Sequence, residues 1–351
     1  MASALDGIKV IDLTGMGPAT ISAMMLGDMG AEVIKVDPPP GVVSGGVGQG
    51  APGGGSEADQ ARMAAHMASY RNKRSIFLNL KEDAARQVFL KLADTADVII
   101  EGFRPGVMDR LGVGYADVSR SNPRIVFCSV SGYGQDGPYK NLVGHDPDYS
   151  GMGGVLGIVG ESADRPPVLA QNIIADMTAV FNTVIGILLA LSARDRTGRG
   201  QMVDISMHDG VVFLHVGIPG SSEYFYTGAP PRRGDTLLSG TRPSASVYRT
   251  ADDRYITVCP IEPRFWMNLC RALKREDLIP RQHDQGAGRE KLMSELAAIF
   301  RTRTRDQWFE VLSQADVPTG KVLEVDEVFR DPHVLHRHMA LELDHPGVGK
   351  V

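Results

Sequence analysis

The sequence predicts an α/β protein, with a large domain on a parallel sheet and a smaller α+β domain after it. Three observations carry this. Residues 8–13 (IKVIDL) form a β-rich run, Thr14-Gly-Met-Gly-Pro-Ala leads into an apolar-periodic stretch stopping at Gly30, and Glu32-Val-Ile-Lys-Val is strand-like again. Two strands joined through a helix need a crossover, which makes them parallel. The pattern then recurs: 82–94 reads as a helix, Asp97-Val-Ile-Ile and Arg124-Ile-Val-Phe-Cys-Ser-Val as strands, about 168–193 as a long helix, and Gln201-Met-Val-Asp-Ile-Ser as another strand. Finally, composition shifts to Gly, Pro, Ser and Arg over about 218–242, and a hairpin pattern follows, Ser246-Val-Tyr-Arg-Thr then Arg254-Tyr-Ile-Thr-Val, with several helices behind it.

These readings set the expected domains: 1–217 as the large α/β domain, completed by 321–351; 218–242 as a linker; 243–320 as the small α+β domain. Pro18 stands at a plausible first helical position, since its missing N–H is not needed there. The tail Arg194-Asp-Arg-Thr-Gly-Arg-Gly puts cations and a glycine stop at the end of the long helix. That helix includes the uncharged stretch Met177 to Ala193, which is short for a membrane span and reads as a core helix.

Composition narrows the functional classes. With 43% hydrophobic and 23% charged residues and a net charge of −5, the chain is that of a globular protein without the positive field that attracts nucleic acid. Cys128, Cys259 and Cys270 are too far apart in sequence for a disulfide framework or a CxxC site. The N-terminus shows no basic and apolar leader, so the expected location is cytoplasmic, with no membrane partner.

Two motifs mislead. Gly48-Gln-Gly-Ala-Pro-Gly53 fits GxGxxG, but a proline sits where the turn should enter a helix, and the stretch from Gly41 to Ser56 reads as a surface loop. His333, His336 and His338 lack a further ligand at metal-site spacing and read as part of a solvated helix after Asp331-Pro332; no metal is assigned.

The chemistry concentrates elsewhere. His145 precedes Asp146-Pro147, where Asp146 is expected as an N-cap and Pro147 as the first helical residue; a positive helix end favours the neutral imidazole that a general base needs. Asp176 lies among apolar neighbours, and aspartates are rarely buried unless they cap a helix or carry an adjusted pKa. Glu262 follows the hairpin at a helix entrance, either as a helix-end charge or as a partner that orients an imidazole. Basic residues cluster at Arg71-Asn-Lys-Arg74, Lys81, Arg104 and Arg110; at strand ends of a parallel sheet they suit a phosphorylated carrier.

At these residues the chain resembles the family III coenzyme A transferases, in particular their α-methylacyl-CoA racemase branch. The stretches that carry the resemblance are GIKVIDLTGMGPATISAMMLGDMGAEVIKVD, NKRSIFLNLK, ADVIIEGFRPGVMDRLG, VSGYGQDGPY, GHDPDYSGMGG, IIADMTAVF, GILLALSARDRTGRGQMVDISM and IEPRFW, spread over about residues 6–345. The resemblance implies a Rossmann-like large domain and an intertwined homodimer. It implies a racemase in which His145 and Asp176 flank the α-carbon of a 2-methylacyl thioester, with Glu262 paired to the histidine across the dimer. It further implies coenzyme A contacts at Met16, Leu78, Asn79, Leu80, Lys81, Phe103, Arg104, Arg110 and Tyr149, with Asp146 beside the thioester, and no cofactor beyond coenzyme A as part of the substrate. By that resemblance, relatives often carry a basic residue immediately after the strand aspartate, where this chain has Pro38 and then the Gly-rich loop, and the family pattern would continue past His345-Pro-Gly-Val-Gly-Lys-Val351. The competing readings are a coenzyme A transferase that uses Asp176 as an acyl-accepting nucleophile, and a silent scaffold that keeps the fold.

Overall fold

A computed structural model describes residues 2–15, 17–40, 56–171, 174–218 and 220–351. The chain divides into two compact units, the first of Met1–Leu156, Ala170–His215 and Glu342–Val351, the second of Gly157–Leu169 and Val216–Leu341.

The first unit runs β1 (Lys9–Leu13), α1 (Pro18–Asp28), β2 (Glu32–Asp37), α2 (Glu57–His66), β3 (Lys73–Phe77), α3 (Asp83–Ala93), β4 (Val98–Glu101), α4 (Val107–Arg110), α5 (Tyr115–Ser121), β5 (Val126–Ser131), α6 (Asp146–Met152), α7 (Ala175–Thr197), β6 (Met202–Ser206) and α8 (Met207–Leu214). The six strands stand in the order β3-β2-β1-β4-β5-β6, every neighbouring pair parallel. This is the Rossmann order, with its reversal of direction between β1 and β4. Strand alternation sends Val10, Ile100 and Cys128 to one face, against Ala23 and Leu26 of α1 and Ala179 and Ile187 of α7. It sends Ile11, Ile99 and Phe127 to the other, against Phe89 and Ala93 of α3 and Val118 of α5.

The long helix starts at Ala175 and ends on Gly198, whose left-handed φ of 73° lets its N–H reach the Arg194 carbonyl at 2.7 Å. Arg194 is buried and pairs with Asp97 at 2.8 Å. By length and composition α7 could cross a membrane, yet Ala179, Val180, Ile187 and Ala190 are packed inside the unit. The other flank of this helix carries Phe181, Ile185, Leu188 and Leu189 exposed.

One buried charge cluster organises the near end of the sheet. Asp12 is fully buried; its carboxylate accepts from the Thr14 N–H at 2.9 Å and hydroxyl at 2.5 Å and pairs with Lys73 at 2.8 Å. The Lys73 ammonium also donates to the carbonyl and hydroxyl of Thr20 in α1, each at 2.8 Å, while Lys35 donates to the Thr14 carbonyl and pairs with Asp37. Three strands therefore grip the β1–α1 connection by charge. Burial pulls the Lys73 pKa down, and Asp12 opposes that shift.

The second unit contains α9 (Ser221–Thr227), β7 (Ser246–Arg249), β8 (Tyr255–Val258), α10 (Pro263–Ala272), α11 (Gly286–Phe300), α12 (Arg305–Gln314), β9 (Thr319–Lys321), α13 (Val325–Val328) and α14 (Pro332–His336). Its antiparallel sheet, ordered β7-β8-β9, covers a core of Tyr248, Ile256, Trp266, Leu269, Leu296, Phe300 and Trp308. The two indoles donate inside it, Trp308 to the Phe300 carbonyl at 2.8 Å and Trp266 to that of Ile279 at 3.0 Å.

The observed units differ from the expected domain limits in three places. Residues 218–242 are not a free linker: the Arg233 guanidinium donates to the carbonyls of Gly157, Ser162, Ala163 and Arg165, which ties this stretch and 157–169 into the second unit. Residues 321–341 also belong there, because β9 pairs with β8 and buried Arg305 grips Glu327. Only Glu342–Val351 rejoins the first unit, as the short antiparallel pair β10 (Asp344–His345) and β11 (Gly349–Lys350).

Removing one member of a buried ion pair leaves the other charge unpaired, at a cost of about 3–5 kcal/mol. Asp12→Ala should destabilise the chain by about that much in urea unfolding, and the double change Asp12→Leu with Lys73→Met should recover most of it. A loss below about 1 kcal/mol for the single variant, in the range of a surface pair, would show that the cluster does not hold the sheet.

Candidate active site

The carboxyl ends of the strands gather residues from distant parts of the first unit. Leu78 to Lys81 follow β3, Phe103 and Arg104 follow β4, Arg110 closes α4, and the segment carrying His145 to Tyr149 comes after β5. Parallel α/β sheets bind ligands at this end, beside the reversal of strand order. Met16, expected here after β1, lies outside the described residues, as do 41–55, which hold most of the Gly-rich loop and the whole GxGxxG decoy.

His145 is the N-cap of α6, one position earlier than the sequence suggested, so Asp146 is the first helical residue and Pro147 the second. The His145 N–H donates to the Asp148 carboxylate at 2.8 Å, and its ring is exposed in the isolated chain. Freed from capping its own helix, Asp146 caps another. Its buried carboxylate accepts the Asp176 N–H at 2.9 Å and the Ser150 hydroxyl at 3.3 Å. Asp176 is thus not a cap: it sits in the first turn of α7, half-buried, with its backbone held by Asp146.

Electrostatics ties the three residues together. Burial pushes the Asp176 carboxyl above the usual aspartate range, the Asp146 charge pushes it further, and His145 opposes both. Tyr149 closes the group from below. Its phenol donates to the Gly144 carbonyl at 2.5 Å and is pushed up to about 12 by burial, then by Tyr133, Asp176 and Asp148. The Tyr149 ring lies where a Cβ on Gly132 would fall, 2.6 Å away, so only glycine lets the end of β5 come this close. Tyr133 meets the same ring edge-on, with centroids 5.1 Å apart.

The expected anion-binding cations separate into two groups. Arg71 pairs with Asp28, Lys73 with Asp12 and Arg74 with Glu32, so each of these cations has a carboxylate partner within the fold. Lys81, Arg104 and Arg110 are exposed and form no ion pair among the described residues. Glu262 belongs to the second unit, exposed, as the N-cap of α10. His333 and His336 lie on α14, capped by Asp331, with His338 just beyond it. Among the described residues no three His, Cys, Asp or Glu side chains converge as metal donors.

Sequence reasoning missed two buried acids at the strand ends, Asp12 and Glu101. Each had one signal, a carboxylate set within or closing an otherwise apolar strand: Val10-Ile-Asp-Leu and Val98-Ile-Ile-Glu.

The profile of CoA-transferase family III matches residues 5–351. The chain is 33% identical to human alpha-methylacyl-CoA racemase, covering 94% of this chain and 80% of that protein. It is also 33% identical to a succinyl-CoA:mesaconate CoA-transferase of Haloarcula marismortui, covering 98% and 86%. Among solved structures, a CAIB/BAIF family protein from Brucella suis superposes with a TM-score of 0.82 at 29% identity, covering 99% of this chain and 91% of that one.

Asp146→Asn should lower the titration midpoint of Asp176, because it removes a raising charge yet keeps an oxygen for the Asp176 N–H. Burial should still hold the midpoint above the ordinary aspartate value. Carboxyl-carbon NMR reads this directly; a midpoint that stays or rises would disprove the coupling.

Proposed function

The chain belongs to CoA-transferase family III, and on that premise we propose that this enzyme inverts the α-carbon of 2-methylacyl-CoA thioesters by transferring a proton between two bases. The observation that carries the reading is the Asp146 bond to the Asp176 N–H, which brings the start of α6, with His145, to the start of α7, with Asp176. An imidazole and a carboxyl of adjusted pKa at one spot can serve the two faces of one carbon.

In one direction His145 takes the α-proton, the C–H electron pair moves into the C–C bond, and the thioester oxygen becomes an enolate oxygen. Protonated Asp176 then gives its proton to the opposite face, and the electrons return to form the new C–H bond. In the other direction the roles reverse, so each base must start in the complementary state. A raised pKa suits Asp176 to both, since it can hold a proton for delivery without being locked in the neutral form. The positive end of α7 would favour the enolate charge.

Lys81, Arg104 and Arg110 would meet the phosphates of coenzyme A, with Leu78, Asn79, Leu80 and Phe103 beside its organic part, Met16 after β1, and Tyr149 and Asp146 next to the thioester. No further cofactor is required by this chemistry. We further propose an intertwined homodimer in which Glu262 pairs with the partner's histidine, and the apolar flank of α7 is covered by the second chain. A cytoplasmic location and the absence of nucleic-acid or membrane partners complete the proposal.

A second reading has a specific observation behind it, the equal identity to a racemase and to a transferase. In a transferase the Asp176 carboxylate would attack the thioester carbonyl, the C–S bond would break, and the coenzyme A thiolate would leave behind a mixed anhydride. That chemistry leaves His145 without a task and asks for a strongly ionised Asp176, whereas burial disfavours its charge.

In deuterium oxide, a single stereoisomer of a 2-methylacyl-CoA should gain deuterium at the α-carbon as it racemises. His145→Ala and Asp176→Ala should each reduce racemisation about 10²–10⁴-fold. Acyl transfer to an added carboxylate without α-exchange would replace the racemase with the transferase. Sedimentation should give twice the chain mass; a fully active monomer would remove the dimer and the role of Glu262 across it.

A further inference from the structure

Glu101 closes β4 and takes no part in the proton transfer described above. It is 4% exposed, and among the described residues it forms no ion pair with Lys or Arg. Its Oε2 accepts the Phe103 N–H at 2.7 Å. In register, Glu101 stands beside Ser129 of β5, and Ser129 beside Asp204 of β6, so the three share one face of the sheet. The Ser129 hydroxyl hydrogen-bonds the Glu101 carboxyl, and Asp204 accepts the Gln135 N–H at 3.0 Å.

The turn that Glu101 holds is short and carries exposed chemistry. The Val107 N–H closes it onto the Arg104 carbonyl at 3.1 Å, and Gly106 adopts a φ of 77° before α4 begins. Arg104 projects from it, exposed, while the half-buried Phe103 ring packs against the core on the sheet face of Ile11 and Ile99. A carboxylate accepts a backbone N–H more strongly than a neutral acid does, so the hold on this turn depends on whether Glu101 carries a proton.

We propose that Glu101 is a positioning residue for coenzyme A: its carboxylate fixes the Gly102–Gly106 turn through the Phe103 N–H, and affinity for coenzyme A follows the protonation of that carboxylate. This rests on the reading of Phe103 and Arg104 as coenzyme A contacts. The charged groups bearing on Glu101 are Asp109 from α4 and Asp204 from β6, with the Cys128 thiol of β5 on the other face of the sheet; β1 offers Leu13 in register. None is a cation. Burial, with Asp109 and Asp204 adding to it, pushes the Glu101 carboxyl up to about 7, against the hydrogen bonds from Ser129 and Phe103. The carboxylate form, and the tighter turn, prevail above that pH; the neutral form prevails below it.

Calorimetric titration of the full-length protein with free coenzyme A at pH 5.5 and pH 8.5 tests this, comparing wild type with Glu101→Gln. The titration of the ligand's own phosphate is common to both proteins and cancels in the ratio of their Kd values. That ratio should be near one at pH 5.5, where both side chains are neutral, and about fivefold at pH 8.5, the difference between a charged and a neutral acceptor. The exposed change Asp109→Asn should keep wild-type affinity at pH 8.5 and move the loss of affinity to lower pH. A ratio that is the same at both pH values, or an Asp109→Asn profile that does not move, overturns the role of Glu101. Wild type that binds no coenzyme A at either pH overturns the reading of the site itself.

Discussion

The candidate site depends on one carboxylate without a cation. Among the described residues Asp146 has no Lys or Arg partner, and it is buried. Its charge is met by a backbone N–H at the start of α7 and a hydroxyl one turn along α6. Both are dipoles, and a helix N-terminus supplies the larger of them. The arrangement costs the desolvation of a carboxylate, and it converts two helices separated by more than twenty residues into one fixed corner. Without it, His145 and Asp176 would sit on segments with no direct tie among the bonds described for this corner.

The sheet explains why the other residues arrive at the same end. In a parallel sheet every strand delivers its following loop to one edge, so Lys81, Arg104, Arg110 and His145 emerge together although sequence separates them widely. Two of the loops at this edge, those after β1 and β4, are held by a buried acid near the end of their strand. Asp12 holds Thr14 after β1 and Glu101 holds Phe103 after β4, both through backbone N–H groups two residues on. The repetition is physical: a carboxylate at a strand end can accept the first free amide of the turn, and burial makes that bond strong and its loss costly.

Much of this was legible in the sequence because periodicity reports burial. The runs that became β1, β2, β4, β5 and β6 are apolar and short, and the Gly198 stop and Pro18 start mark helix ends by local stereochemistry alone. What escaped was pairing between distant segments. Arg71, Lys73 and Arg74 looked like an anion site because the fold, and not the neighbouring sequence, supplies Asp28, Asp12 and Glu32. Asp146 looked like a cap for the helix it begins; its actual partner is thirty positions away. Residues 218–242 have a linker's composition, yet Arg233 within them donates to several carbonyls of 157–165.

The same carboxyl that makes the family legible leaves its reaction open, since an aspartate at this position could carry a proton or an acyl group. The surroundings weigh on that choice. A nucleophile gains from a carboxylate that is ionised and exposed, whereas Asp176 is half-buried beside a second acid that opposes its charge. Those conditions make proton binding easier and attack on a thioester harder. Only His145 pulls in the opposite direction, as the neighbouring titratable group that the proposed two-base inversion would use. The electrostatics of the corner therefore support the proposed proton transfer.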